Sequence, residues 1–160
     1  MSDDFKINDA TYSGTKEVDQ NLKFDTNLLQ DWMHEYIPNC ESISSVEQFK
    51  GGQSNPTYKI LTKTGAYVLR RKPPGKLLPK AHAVDREYKV ISALEETDVP
   101  VPKTFGLCDD HDVVGTPFFM MEFVEGKVFW DHLLPSCSKT ERAQIYRDKN
   151  RVIAALHGVD

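Results

Sequence analysis

Phe49-Lys50-Gly51-Gly52-Gln53-Ser54-Asn55-Pro56-Thr57-Tyr58-Lys59-Ile60-Leu61-Thr62-Lys63-Thr64-Gly65-Ala66-Tyr67-Val68-Leu69-Arg70-Arg71 is the stretch from which the rest of this chain is read. Two glycines open a short polar loop, Gln53-Ser54-Asn55. Tyr58 to Thr62 and Ala66 to Lys72 then read as the two strands of a hairpin turned at Lys63-Thr64-Gly65. The second strand runs out on a cation, Arg70. A strand, a flexible polar loop, a returning strand and a third strand closing on a positive charge make a lid with a charge beneath it. That arrangement suits a nucleoside triphosphate, whose phosphates need backbone N–H donors above and a fixed cation alongside.

The totals are those of an ordinary domain. A length of 160 residues is enough for one, with 39% apolar and 28% charged residues. The net charge of −4 argues against non-specific nucleic-acid binding, which requires a surplus of Lys and Arg to displace counterions. Cys40, Cys108 and Cys137 are odd in number and scattered without a C-x-x-C pair, so neither a disulfide framework nor a zinc site is expected. The polar, acidic start fits neither a signal peptide nor an Arg-rich transit peptide. The longest apolar run, Pro117 to Val124, is interrupted by Glu122 and is too short to span a bilayer. The expectation is an intracellular protein, cytoplasmic by default, with no membrane partner.

Working outward from the glycine loop, residues 1–24 read as a loose leader. Asp25-Thr26-Asn27 caps a helix whose apolar residues Leu28, Leu29, Trp32, Met33, Tyr36 and Ile37 share one face, stopped by Pro38. Ile43 to Lys50 reads as a strand. The prolines and glycine of Pro73-Pro74-Gly75-Lys76-Leu77-Leu78-Pro79 make a loop. Asp85 to Glu96 reads as a helix with a Val84, Tyr88, Ile91, Leu94 stripe, followed by strands at Lys103 to Cys108 and Pro117 to Val124 around the acidic turn 109–112. Ser138 and Glu141 form a capping box for a last helix with Ile145, Val152, Ile153 and Leu156 on one face and Gly158 at its end. Two strand clusters around one helix, joined by short hairpins, predict an α+β domain with an antiparallel sheet of about five strands.

Four features carry candidate chemistry. Gly51 to Asn55 is either a plain turn, using glycine for positive φ, or a mobile flap whose Ser54 hydroxyl and backbone amides approach phosphate oxygens. Val68 and Arg70 share a strand face, so an apolar ceiling and a cation look into one cavity, while Arg71 and Lys72 read as a solvated strand end. Glu87 falls at the edge of its helix's apolar stripe. It bends out to water, or accompanies its neighbour Arg86, or pairs with Arg70, since a carboxylate there is costly without a cation. Met121-Glu122-Phe123-Val124-Glu125-Gly126 is either a buried edge strand or a hinge, with Met121 behind it, whose backbone at Glu122 and Val124 meets an adenine edge.

In this order (glycine flap, strand cation, helix glutamate, hinge) the chain resembles the protein-kinase-like phosphotransferases. In detail it is similar to the aminoglycoside phosphotransferase and choline kinase branch, whose flap reads G-G-x-S-N. The phrase Tyr67 to Pro79 with Ala81 to Tyr88 is closest to the kinase-like domain joined to acyl-CoA dehydrogenases, and the resemblance covers roughly residues 43–160. It implies a kinase-like N-lobe over residues 25–126, its preceding helix included, and the start of a C-lobe over 127–160. It also implies ATP as cofactor, with Arg70 on the α/β phosphates, Glu87 paired to it, and Gly52, Gln53, Ser54 and Asn55 covering the nucleotide. Val68 and Met121 would lie near the base, and Glu122 and Val124 would present hinge backbone. In the complete protein it implies a small-molecule hydroxyl substrate, hydroxylated acyl compounds for dehydrogenase-linked members, and FAD only where a dehydrogenase module follows. A peroxisomal or mitochondrial address would then lie in further sequence.

That family draws its catalytic Asp and its Mg²⁺ ligands from an H-G-D…N loop and a later acidic motif. Neither occurs in these 160 residues: His157-Gly158-Val159-Asp160 closes a helix and puts its Asp one place late. No catalytic and no metal-ligating residue is therefore expected here. The chain by itself should not transfer phosphate, and its last helix should leave an apolar face open to association. The alternative from another class is a non-catalytic module that binds nucleotide or a protein partner.

Overall fold

The computed structural model describes residues 12–51, 54–76, 78 and 81–159. In chain order these form β1 (Thr15–Lys16), a 3-10 turn (Gln20–Leu22), α1 (Thr26–Tyr36), β2 (Ile43–Phe49), β3 (Thr57–Thr62) and β4 (Ala66–Arg71). There follow α2 (Val84–Leu94), β5 (Thr104–Cys108), α3 (His111–Val114), β6 (Phe118–Glu122) and α4 (Lys139–His157). The strands make one antiparallel sheet in the order β1-β2-β3-β4-β6-β5. The α+β class is as read from the sequence, with one strand more than expected. Among the described residues no helix is long and apolar enough to cross a membrane.

Side chains alternate across a strand, so register assigns every residue of the sheet to one of two faces. Tyr58 pairs with Leu69 and Leu69 with Met120, which puts all three on one face. Helix α1 covers that face: Leu29, Trp32, Met33 and Ile37 join Tyr58, Ile60, Leu69, Phe118, Met120 and Cys108 in one buried cluster. Trp32 stacks on Tyr36 at 4.5 Å and meets the Phe118 ring edge-on at 4.9 Å. The same indole explains a glycine in mid-strand. A Cβ on Gly106 would stand 3.1 Å from the Tyr36 ring and 3.2 Å from that of Trp32, so bare backbone lets the helix settle.

The residues of opposite parity face the other way. Thr57, Arg70 and Phe119 form one cross-strand row, and Lys59, Val68 and Met121 the next. Helix α2 lies on this second side against β5 and β6, with Tyr88 6.1 Å from the Phe119 ring. The sheet is thus sandwiched, with the larger core above and the Arg70 face below.

The sequence reading needs three corrections. The part of the leader that is described is not loose: β1 pairs with β2, and the Leu22 carbonyl accepts from Tyr58 Oη (3.2 Å) and Arg71 Nη2 (2.7 Å). Arg71 is no solvated strand end. It is 3% exposed and also donates through Nη1 to the Val114 carbonyl. The acidic turn contains the short helix α3, started by Asp110, whose side chain accepts from Asp112 N–H. The capping box of α4 is present as read, although Gly158 ends the helix at φ −92°, outside the left-handed region.

Beyond α2, Glu95 ties the helix to β5: its Oε1 accepts from the Thr104 hydroxyl and amide, both at 2.6 Å. The hydroxyl bond, then the amide bond, holds the Glu95 carboxyl below its ordinary value of 4.5. A depressed folded pKa means the stabilisation is present above the unfolded value and is lost as pH falls through the folded one. The melting-temperature gap between wild type and Glu95→Gln should therefore be full above pH 4.5 and shrink below it. A gap that stays constant down to strong acid would contradict this.

Candidate nucleotide site

β4 delivers Arg70 to the lower face, and the first turns of α2 deliver Glu87 to meet it. Arg70 Nε lies 2.6 Å from Glu87 Oε2. Both side chains are partly exposed, at 26% and 37%, so the pair contributes little to stability but fixes a direction. Arg70 Nη1 donates to Thr57 Oγ1 at 3.1 Å, and Thr57 Oγ1 donates to the Asn55 carbonyl at 3.0 Å. The Asn55 side chain closes the ring by donating from Nδ2 to Glu87 Oε1 at 3.0 Å. The circuit Asn55–Glu87–Arg70–Thr57 returns to Asn55, and each carboxylate oxygen has a donor. Arg70 Nη2 makes no hydrogen bond among the described residues, and it is the guanidinium group left to offer an anion.

Next to this ring Val68 and Met121 are directly paired, giving the apolar ceiling beside the cation. Met121 is followed by the end of β6. The Glu122 N–H is committed to the Lys103 carbonyl at 2.8 Å. Val124 lies beyond the ladder with its side chain 62% exposed. Phe123, between them, stands 6.4 Å from Phe49 with the rings 23° from parallel, and Lys59 Nζ sits 4.0 Å over its centroid. A cavity of about 400 Å³ opens just past the end of β4, lined by Lys72, Ala81, Ala83, Asp85 and Arg86.

The glycine loop is only partly described, and Gly52 and Gln53 lie outside the described residues. Ser54 is exposed. Asn55 is not: at 2% exposure its amide is turned inward onto Glu87 and His82, so it braces the ion pair instead of covering a ligand. Gly51 is a glycine for lack of room. A Cβ there would lie 2.6 Å from the Trp130 ring, whose indole N–H donates to Ser13 Oγ at 3.1 Å.

Three contributors escaped the sequence reading. The Lys63-Thr64-Gly65 turn sets Leu61 opposite Ala66, and counting back from there already puts Thr57 opposite Arg70 and Lys59 opposite Val68. No such count reaches His82, which lies beyond the hairpin, just ahead of α2.

Among the described residues no group of three or more His, Cys, Asp or Glu side chains is placed to hold a metal ion. The last helix buries none of its residues, and Ile153 and Leu156 are 49% and 46% exposed.

A family profile described as "Phosphotransferase enzyme family" matches residues 45–160. The chain belongs to that family. The chain also resembles a crystal structure from Ralstonia eutropha JMP134 described as an aminoglycoside phosphotransferase. The likeness has a TM-score of 0.73 and 49% identity, over 86% of this chain and 39% of that one. Rat acyl-CoA dehydrogenase family member 11 is 43% identical over 150 residues, which is 91% of this chain and 19% of the rat protein. Mouse acyl-CoA dehydrogenase family member 10 is 45% identical over 113 residues, 71% of this chain and 11% of that protein. The phosphotransferase-family chain therefore spans a fifth or less of these curated relatives.

Proposed function

We propose that this chain is the nucleotide-binding lobe of an ATP-dependent small-molecule phosphotransferase. The observation that carries the reading is the 2.6 Å contact between Arg70 Nε and Glu87 Oε2, made on the sheet face where Val68 and Met121 lie side by side. A guanidinium held at Nε and Nη1 keeps Nη2 pointed at a fixed place, so an arriving phosphate meets a pre-oriented cation with less rotamer entropy to lose. Arg70 grips the α/β phosphates, Val68 and Met121 bound the base, and Val124 offers hinge backbone. Ser54 lies over the phosphates. ATP, once bound, supplies the phosphoryl group. The base that orients the acceptor hydroxyl and the ligands for Mg²⁺ belong to sequence beyond these residues, so transfer itself is assigned to a longer protein. The dehydrogenase names of the relatives support a hydroxylated acyl compound as the acceptor.

Titration calorimetry on the 160-residue chain tests the binding half. Arg70→Ala should weaken ATP with Mg²⁺ by about 10- to 100-fold, the value of a charge-assisted contact, and leave adenosine little changed. Unaltered ATP binding by Arg70→Ala would sink the reading.

A further inference from the structure

Arg70 is braced by Glu87, and Glu87 by Asn55, but Asn55 is itself held from outside the ring. Its Oδ1 lies 2.9 Å from His82 Nδ1. We propose that His82 is a positioning residue for Arg70, acting through Asn55 and Glu87 as a latch between the exit of the glycine loop and the start of α2. The inference rests on the nucleotide-binding reading above.

The proton inventory is forced by the partners. An ionised Glu87 can only accept, so Asn55 must turn its NH₂ toward Oε1 and its oxygen toward the imidazole. His82 Nδ1 then carries the proton and donates. All of this happens around a side chain 2% exposed, where a polar atom without a partner is costly. Losing the His82 donor strands the Asn55 oxygen and leaves Glu87 alone to fix the amide's orientation. A flipped amide would aim an oxygen at the Glu87 carboxylate, which would cost Glu87 a donor and free Arg70 to wander.

The backbone at His82 suits this task. Its φ is +57°, a left-handed conformation that His, Asn and Asp enter more readily than other residues with a Cβ. Its carbonyl accepts from the Val84 N–H at 2.9 Å, so the residue sits immediately at the head of α2. The latch thus joins the loop exit at Asn55 to two adjoining stretches, the connector with His82, 27 positions on, and the helix bearing Glu87, 32 positions on.

The test titrates wild type, Arg70→Ala, His82→Leu and His82→Asn, each as the 160-residue chain, with ATP plus Mg²⁺ and separately with adenosine. His82→Leu should lower ATP affinity about tenfold while adenosine changes by less than about twofold, because the defect is in the phosphate-gripping cation alone. His82→Asn keeps an N–H donor at the δ position and tolerates the left-handed backbone, and should return ATP affinity to within about threefold of wild type. Equal losses for ATP and adenosine, or no rescue by His82→Asn, would mark His82 as merely structural and overturn the proposal. Wild-type ATP binding by His82→Leu, with Arg70→Ala impaired, overturns the latch and leaves the nucleotide reading standing. If Arg70→Ala is unimpaired as well, the nucleotide reading falls and the latch with it.

Discussion

Arg71→Ala is expected to destabilise the chain by about 3 kcal/mol, a melting temperature lower by roughly 6–12 °C for a domain of this size. The residue is 3% exposed and reaches two carbonyls from different segments, Leu22 before α1 and Val114 at the end of α3. Its guanidinium carbon also lies 5.2 Å from both the Phe24 and the Tyr58 ring centroids. Removing it strands the Val114 carbonyl, leaves Leu22 with Tyr58 Oη alone, and opens a void between two rings. Arg71 Nε has no hydrogen-bond partner among the described residues, so the gain in the wild type is less than the bonds alone suggest. Arg71→Lys keeps the charge but cannot fork to two carbonyls, and should recover less than half of the loss. A solvated strand end would instead change by no more than about 0.5 kcal/mol on Arg71→Ala, and denaturant unfolding separates the two outcomes.

Trp32→Ala is expected to cost about 3–5 kcal/mol, a large share of the roughly 5–15 kcal/mol available to a domain. The indole is 8% exposed, stacked on Tyr36, edge-on to Phe118 and seated over Gly106. Helix α1 precedes the residues matched by the family profile, yet it supplies Leu29, Trp32, Met33 and Ile37 to the buried cluster. If it is part of the folding unit, the substitution shifts the melting of the whole sheet. Trp130 is the other tryptophan and remains as a fluorescent reporter against the glycine loop. Its transition and the circular-dichroism transition should move down together. Sheet melting at the wild-type temperature would show α1 to be an appendage.

Local information sufficed for several elements. Asp25 and Ser138 each cap the helix that follows, because a side-chain oxygen within three residues of a free amide needs no tertiary help. The hairpin turn at residues 63–65 sets the register of β3 against β4, and that register alone puts Val68 and Arg70 on one face with Thr57 and Lys59. A carboxylate at the margin of an apolar stripe left Glu87 either turned to water or paired with Arg70, and the ion pair is the one present.

Tertiary structure decided the rest. Arg70, Arg71 and Lys72 are three consecutive cations whose local patterns do not tell them apart. Alternation sends Arg70 to the lower face and Arg71 to the upper, but only the fold brings Glu87 beneath one and the carbonyls of Leu22 and Val114 above the other. Asn55 looked like a lid residue because it follows a glycine pair. It became a brace because His82, 27 positions away, and Glu87, 32 positions away, arrive at its two ends. A single chain encodes which side chains can donate and accept; which of them come within 3 Å depends on the closure of segments whose spacing has no periodicity to read.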